Sequence, residues 1–528
     1  MTRRDLLLFA AKAYGVNFAY SLMEDMGMVV KPEPTDLESL RGQAEKKATV
    51  LILGAGIAGM CAAYELERLG YKCLILEARH RTGGRCHTVR RGDTVEETGL
   101  KQVCDFERGA FFNPGPTRVP HWHITVDYCH KFKVALAPWI NVNEGAYVFQ
   151  STTGRLKGKK IRLQDAIADT TGYMAEIVSR TVKADQADIT LSEDDKTQVM
   201  TFLSRYGFLD RDGKYRGRQR RSYKSFAGAG PMQSQYEEPY PIADLFAAGM
   251  GNYFHFVDAN DQQSTMLEIV GGVDKLARAF EGNIRSPILF GSKVTNIKTS
   301  ASGVTASYAD SHDNSHTIDA DYCVCTIPLP VLKKIPANFD APTTAAIANG
   351  RYANSTKVAT EYKRRFWEED ERIFGGISWT DMPIGQVIYP SHDFFSKSGV
   401  LVNYTMGPNG QMLAALPVDK RMAAALEMTS RIHPQAIAER KSAVTLSWAN
   451  VPFSEGAFAI WELAAGGEAS YQLLCKPQGR LFFAGEHASR ITAWMAGAIE
   501  SARFVVKEIA VDAQRTSVLP AAPKLQLA

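Results

Sequence analysis

The chemistry most clearly written in the sequence is Gly54-Ala55-Gly56-Ile57-Ala58-Gly59, a GxGxxG, followed about two dozen residues on by Glu77. Gly54 permits a tight turn, Gly56 lets a pyrophosphate approach the backbone, and Gly59 lets a helix pack closely on a strand. Glu77 is then placed to accept hydrogen bonds from the hydroxyls of an adenosine ribose. This is the chemistry of dinucleotide binding. Other reactive residue types are scattered. The pair His121 and His123 lacks a Cys or carboxylate partner, so both are read as structural. Cys323 and Cys325 flank one residue in an apolar strand pattern with no second half of a zinc site, so no metal is expected. The 8 Cys show no disulfide spacing.

The elements that must hold the glycines follow from periodicity. Ala48 to Leu53 is a short buried-strand run, Ile57 to Leu69 has helical apolar spacing ending at Gly70, and Lys72 to Glu77 is a second strand. The glycines therefore sit at a strand-to-helix turn, where unpaired N–H groups face a phosphate. Gln164 to Lys183 and Glu193 to Arg205 read as amphipathic helices, whereas Ile269 to Ile335 and Lys357 to Gly407 are strand-rich. Arg480 to Ile509 returns to strand, turn and helix.

Glu77-Ala78-Arg79-His80-Arg81-Thr82-Gly83-Gly84-Arg85 continues the second strand, and Gly479 to His487 with Ala493 to Ser501 forms a second glycine-containing strand, turn and helix. In these stretches the chain resembles the flavin amine oxidase family, over about Ala48 to Ile509, and within it the L-amino acid oxidases. The resemblance implies that the dinucleotide is FAD. It places Glu77 at the ribose, Arg79 and Arg85 along the adenosine and pyrophosphate, and Val294 on the adenine side, with Ala78 and Gly84 also among the cofactor-binding residues. Gly485 and Glu486 would meet the ribityl and phosphate portion. Trp494, Met495 and Ala498 would line the flavin ring, at a helix N-terminus that stabilises the negative charge of reduction.

The same resemblance supplies substrate residues. Arg118, in Phe111 to Pro120, is the expected carboxylate anchor, since a guanidinium fork meets a carboxylate with two parallel hydrogen bonds; Arg108 is the runner-up. Lys357 would hold a water near flavin N5, and Tyr404, Ala493 and Trp494 would surround the amine. Lys357, Arg118, Tyr404 and Trp494 are thus the expected catalytic set. The implied reaction passes hydride from Cα to N5, and an L-amino acid leaves as 2-oxo acid and ammonia with hydrogen peroxide formed from dioxygen. Three alternatives stay open: a monoamine or polyamine oxidase, an amino-acid 2-monooxygenase giving the amide, and a flavin-binding protein without turnover. The aromatic run Tyr253 to Phe256 reads either as a pocket for apolar or aromatic substrates or equally as core.

The expected fold is α/β (α+β overall), a Rossmann-type FAD-binding domain with a mixed-sheet substrate domain and a helical insertion. The divisions are 1–46 N-terminal segment and linker; 47–112, 269–335 and 445–510 FAD domain; 113–150, 225–268 and 336–444 substrate domain; 151–224 helical insertion; and 511–528 tail. A net charge of +4 over 528 residues gives no field suited to nucleic acid, and no apolar run reaches the roughly 18 residues of a membrane span. The basic run Arg211 to Lys224 reads as a solvated loop. Thr2 to Leu7 resembles a twin-arginine export address, but Lys12, Glu24 and Asp25 interrupt the apolar stretch. The location is read as cytoplasmic, with export as the alternative, and the resemblance implies a homodimer.

Overall fold

The computed structural model describes residues 36–40, 48–152, 154–184, 191–217, 220–461 and 466–516. The export-like N-terminus and Arg218 lie outside these residues. Two sheets organise the molecule. The first is parallel and five-stranded, in the order Ile288–Leu289, Lys72–Leu76, Thr49–Leu53, Tyr322–Cys325, Leu481–Phe483. Thr49–Leu53 is buried at every position because both faces are covered, which is why it reads as an unbroken apolar run. Val50, Ile52, Ile75, Val324 and Phe482 face one core with the helices Ile57–Leu69 and Met495–Thr516. Leu51, Leu53, Leu74, Cys323 and Cys325 face another, shared with the antiparallel strands Lys293–Thr299 and Val304–Ala309.

The second sheet has seven strands, ordered Lys160–Arg162, Tyr147–Phe149, Ile377–Thr380, Gln386–Ile388, Gly399–Met406, Ser355–Tyr362, Arg440–Ser447. One pairing is parallel, between Ile377–Thr380 and Tyr147–Phe149, and the rest are antiparallel, giving the expected mixed sheet. Its edges differ from the sequence divisions. Lys160–Arg162, assigned to the helical insertion, is an edge strand here, and Arg440–Ser447 runs past the boundary at 445. Lys160–Arg162 is drawn into the sheet by its near neighbour Tyr147–Phe149, and Arg440–Ser447 by the distant Ser355–Tyr362.

The helical insertion contains Leu163–Lys183 and Glu193–Gly207; the second is opened by a capping box between Ser192 and Asp195. The basic run beside it is not simply solvated. Arg221 is buried against Asp169 and Asp165, so its charge closes the insertion from within. At the other end Met495–Thr516 continues six residues into the segment read as a tail. At the start, Leu37 is buried in the core of the parallel sheet, which anchors part of the expected linker.

Candidate active site

The strand ends and the second sheet enclose a cavity of about 1160 Å³, somewhat above the roughly 300–1,000 Å³ of ordinary small-molecule sites. Gly54 opens it with φ +107°, donating its N–H to Leu76 O at 2.8 Å. A Cβ on Gly59 would stand 2.0 Å from Gly54 O, so only glycine lets the helix Ile57–Leu69 lie this close to the turn. Gly56, by contrast, faces open space and caps that helix with no side-chain bond, which leaves its first N–H groups to a phosphate. Glu77 accepts from Ala55 N at 2.7 Å and Arg79 N at 2.9 Å, fixing its carboxylate at the strand end. Ala55 and Gly59 shape the turn without lining the cavity; Gly54, Gly56, Ile57, Ala58, Glu77, Ala78, Arg79, Gly84, Arg85 and Val294 line it. An open glycine, a bare helix N-terminus and an anchored carboxylate in this order fit a dinucleotide.

The two chain ends meet at Glu486. Its carboxylate pairs with Arg85 at 2.9 Å and accepts from Ala459 N at 3.2 Å and Ala493 N at 3.3 Å. Glu486 therefore joins three segments, a structural duty beyond the cofactor contact implied for it. Arg79 bonds Ser454 Oγ at 2.8 Å and the carbonyl of Pro452. The helix Met495–Thr516 presents Met495 and Ala498 to the cavity, and Gly485, Ala493 and Trp494 complete that wall. A Cβ on Gly497 would stand 2.0 Å from Ile491 O, so the turn into the helix is as tight as the first one.

At the end walled by the second sheet, Arg118, Lys357 and Tyr404 come together with Trp494. Arg118 donates to Asn141 Oδ1 at 2.9 Å and lies over the Phe256 ring at 5.0 Å. Among the described residues no carboxylate pairs with it. Burial pulls its guanidinium down to about 10, against a smaller opposing effect of Tyr404. An isolated cation of this kind is stabilised by an incoming anion. Lys357 is likewise buried, and burial followed by the Arg118 charge lowers it to about 7. Its Nζ donates to Asn113 O at 3.1 Å, Gly115 O at 2.7 Å and Thr117 Oγ1 at 3.0 Å, and lies 4.9 Å from the Tyr404 ring centre. All three N–H bonds thus hold the loop that ends in Arg118, rather than leaving one for the water the resemblance implies.

Lys357 and Tyr404 are opposite each other in the register of Ser355–Tyr362 and Gly399–Met406, so both side chains rise from one face. Burial raises the Tyr404 hydroxyl. Arg108 is exposed and lines a smaller neighbouring cavity that shares Thr117, Trp139 and Ile388 with the first, whereas Arg118 lines the first itself. His123, read only as structural, packs edge-on against Trp494 with ring centres 5.2 Å apart and reaches Asp261 at 3.4 Å. Sequence reasoning also missed Trp139, Gln386, Ile388 and Trp448 as cavity walls. Only their aromatic or β-strand context marked them, and that context is equally the signature of a core.

The sequence model for flavin-containing amine oxidoreductases matches residues 57–510. A flavin-dependent L-tryptophan oxidase, RebO, of Lentzea aerocolonigenes is 29% identical over 496 residues, covering 88% of this chain and 98% of that protein. An L-amino-acid oxidase of Siganus canaliculatus is 30% identical over 469 residues, covering 86% and 83%. Among solved structures, a cyclohexylamine oxidase from Brevibacterium oxydans superposes with a TM-score of 0.57 at 17% identity, covering 89% of this chain and all of that one.

Proposed function

The chain belongs to the flavin-containing amine oxidoreductases, with FAD as its cofactor, and from that premise we propose that it oxidises L-amino acids to 2-oxo acids. The observation that carries this reading is Arg118, a guanidinium in the cavity wall with no carboxylate partner among the described residues. A simple amine would leave that charge without a counter-ion, whereas an amino acid supplies one.

When bound, FAD supplies the two-electron acceptor that dioxygen restores, so the net reaction consumes amino acid, dioxygen and water and yields 2-oxo acid, ammonia and hydrogen peroxide. The protein's part is to fix the substrate. Arg118 takes the carboxylate, with Asn141 and the Phe256 ring setting the direction of its fork. Tyr404 and Trp494 confine the amine, and the apolar cavity keeps it neutral by disfavouring its charged form. Lys357 holds the loop that carries Arg118. Positioning of this kind can contribute several kcal/mol to barrier lowering.

Anaerobic mixing of the holoprotein with individual L-amino acids should bleach the visible flavin band, and aerobic turnover should yield 2-oxo acid; no bleaching by any of them refutes the proposal. Arg118→Met should raise KM for amino acids by about 10²-fold or more, as expected for a lost buried charge pair, and change simple amines by less than about threefold. Equal effects on both would remove Arg118 as the carboxylate anchor. An amide in place of the 2-oxo acid would identify the monooxygenase outcome.

A further inference from the structure

The oxidase reading leaves the pair His121 and His123 without a task, and among the described residues no cluster that could hold a metal includes them. They follow Arg118 closely in the chain. Between Arg118 and the pair runs the short strand Val119–Pro120, which pairs with one edge of Met266–Ile269, while Leu136–Trp139 pairs with the other edge. This three-stranded sheet sets three segments side by side. Arg118 precedes its first strand, Asn141 follows its last, and the turn Asn260–Gln262 leads into its middle one.

His121, Trp122 and His123 each reach across to the segment 260–265. His121 Nδ1–H donates to Thr265 O at 3.0 Å, Trp122 Nε1–H to Asn260 O at 3.3 Å, and His123 Nε2–H to the Asp261 carboxylate at 3.4 Å. The carbonyl of Gln262, next along, accepts from Asn141 Nδ2 at 2.8 Å, and Asn141 Oδ1 accepts from Arg118 at 2.9 Å. These bonds close a circuit that leaves the backbone at Arg118 and returns to it at His123. One bond from Asn141 sets the distance of the guanidinium; a closed circuit also sets its direction, which a two-pronged carboxylate contact requires. His123 has a second contact. It is buried, and its ring meets the Trp494 indole edge-on with centres 5.2 Å apart. An imidazole can do both because it is a flat ring with an N–H on its edge.

We infer that His123 is a positioning residue for both ends of the amino acid: through Asp261, Gln262 and Asn141 it directs Arg118 at the carboxylate, and with its ring it seats Trp494 beside the amine. The inference rests on the reading of Arg118 as the carboxylate anchor. Phenylalanine in its place offers only the ring, and glutamine only the N–H, so the two contacts can be removed one at a time.

The test uses L-phenylalanine as substrate, with 3-phenylpropanoate and 2-phenylethylamine as competitive inhibitors that keep the carboxylate alone and the amine alone. All are measured on the holoprotein, with flavin absorbance certifying that each variant is loaded. His123→Phe should raise KM for L-phenylalanine and Ki for 3-phenylpropanoate about tenfold and leave Ki for 2-phenylethylamine within about threefold. Asp261→Leu, on a partly exposed turn, should reproduce that pattern, and the double variant should be no worse than either single one because both break the same link. His123→Gln should spare 3-phenylpropanoate and weaken 2-phenylethylamine. An equal rise for carboxylate and amine in His123→Phe overturns the inference, as does an unchanged Ki for 3-phenylpropanoate. So does a double variant whose losses multiply, or a His123→Gln that weakens the carboxylate and spares the amine. Arg118→Met tells the two readings apart. If it too fails to weaken 3-phenylpropanoate selectively, the carboxylate anchor falls with the inference; if it does so while His123→Phe does not, the inference falls alone.

Discussion

Replacing Lys357 by Met separates two things this lysine does. The ammonium makes three hydrogen bonds to the loop 113–117, each worth about 1.5–3 kcal/mol when one partner is charged. Against them stands the cost of burying the charge, visible as a pKa lowered from 10.5 to about 7. That shift corresponds to about 5 kcal/mol. The bonds together offset that cost in whole or more, so the variant's stability near neutral pH should lie within about 4 kcal/mol of the parent. Catalysis should suffer more, because the loop loses its tie to the sheet. A displacement of Arg118 by about 1 Å is enough for a loss near 10²-fold. The pH dependence gives an independent check. Between about pH 7 and 10.5 the unfolded chain holds a proton on Lys357 that the folded chain does not, so the parent gains stability relative to the variant as pH rises. The gain approaches about 5 kcal/mol at the top of that window and vanishes below pH 7. Denaturant melts of both proteins across this range, beside KM and kcat for an amino acid and a simple amine, make the measurement. Parallel stability curves would refute the lowered pKa. An equal fall in kcat/KM for amino acid and amine would show that Lys357 acts at the reacting centre instead of through the Arg118 loop.

Gly59→Ala forces a methyl to within 2.0 Å of Gly54 O, so the helix must move off the turn; the purified protein should lose most of its flavin absorbance while keeping its far-ultraviolet dichroism. Arg421 and Glu97 form a pair at 2.6 Å with both side chains fully buried. Arg421→Met strands the carboxylate and should cost about 3–5 kcal/mol in denaturant unfolding. Adding Glu97→Gln should recover a measurable part of that loss, and an additive double variant would disprove the coupling.

The dinucleotide half was legible because its signals are local. Thr49–Leu53, Ile57–Leu69 and Lys72–Leu76 match the periodicity reading within a residue, and Gly70 adopts the left-handed cap with φ +98° that the sequence predicts. The insertion's helices were equally plain, since amphipathic spacing and a capping box act over a few residues. The proposed substrate residues were suggested only by likeness to a family. Arg118 carries no local mark in the sequence, and what singles it out is that no carboxylate among the described residues pairs with it. Gln386 and Trp139 were invisible for a related reason. Each is an ordinary strand residue until the pairing Gln386–Tyr404, or Trp139–Met266, sets it beside the cavity. Arg221 was misread because its partners Asp165 and Asp169 lie two helices earlier in the chain.

The bond between Arg85 and Glu486 spans 401 positions, and it has a consequence for how the protein is made. At about 5–20 residues per second, some 20–80 seconds of synthesis separate its two halves. Throughout that interval the strand Thr49–Leu53 has been released without Leu481–Phe483, and the glycine turn has no opposite wall. A nascent chain halted before that segment should retain no flavin, however well its first βαβ unit has formed. Cofactor loading should thus be a late event, and the apolar edge of Tyr322–Cys325 stays without its outer partner until the last strand arrives.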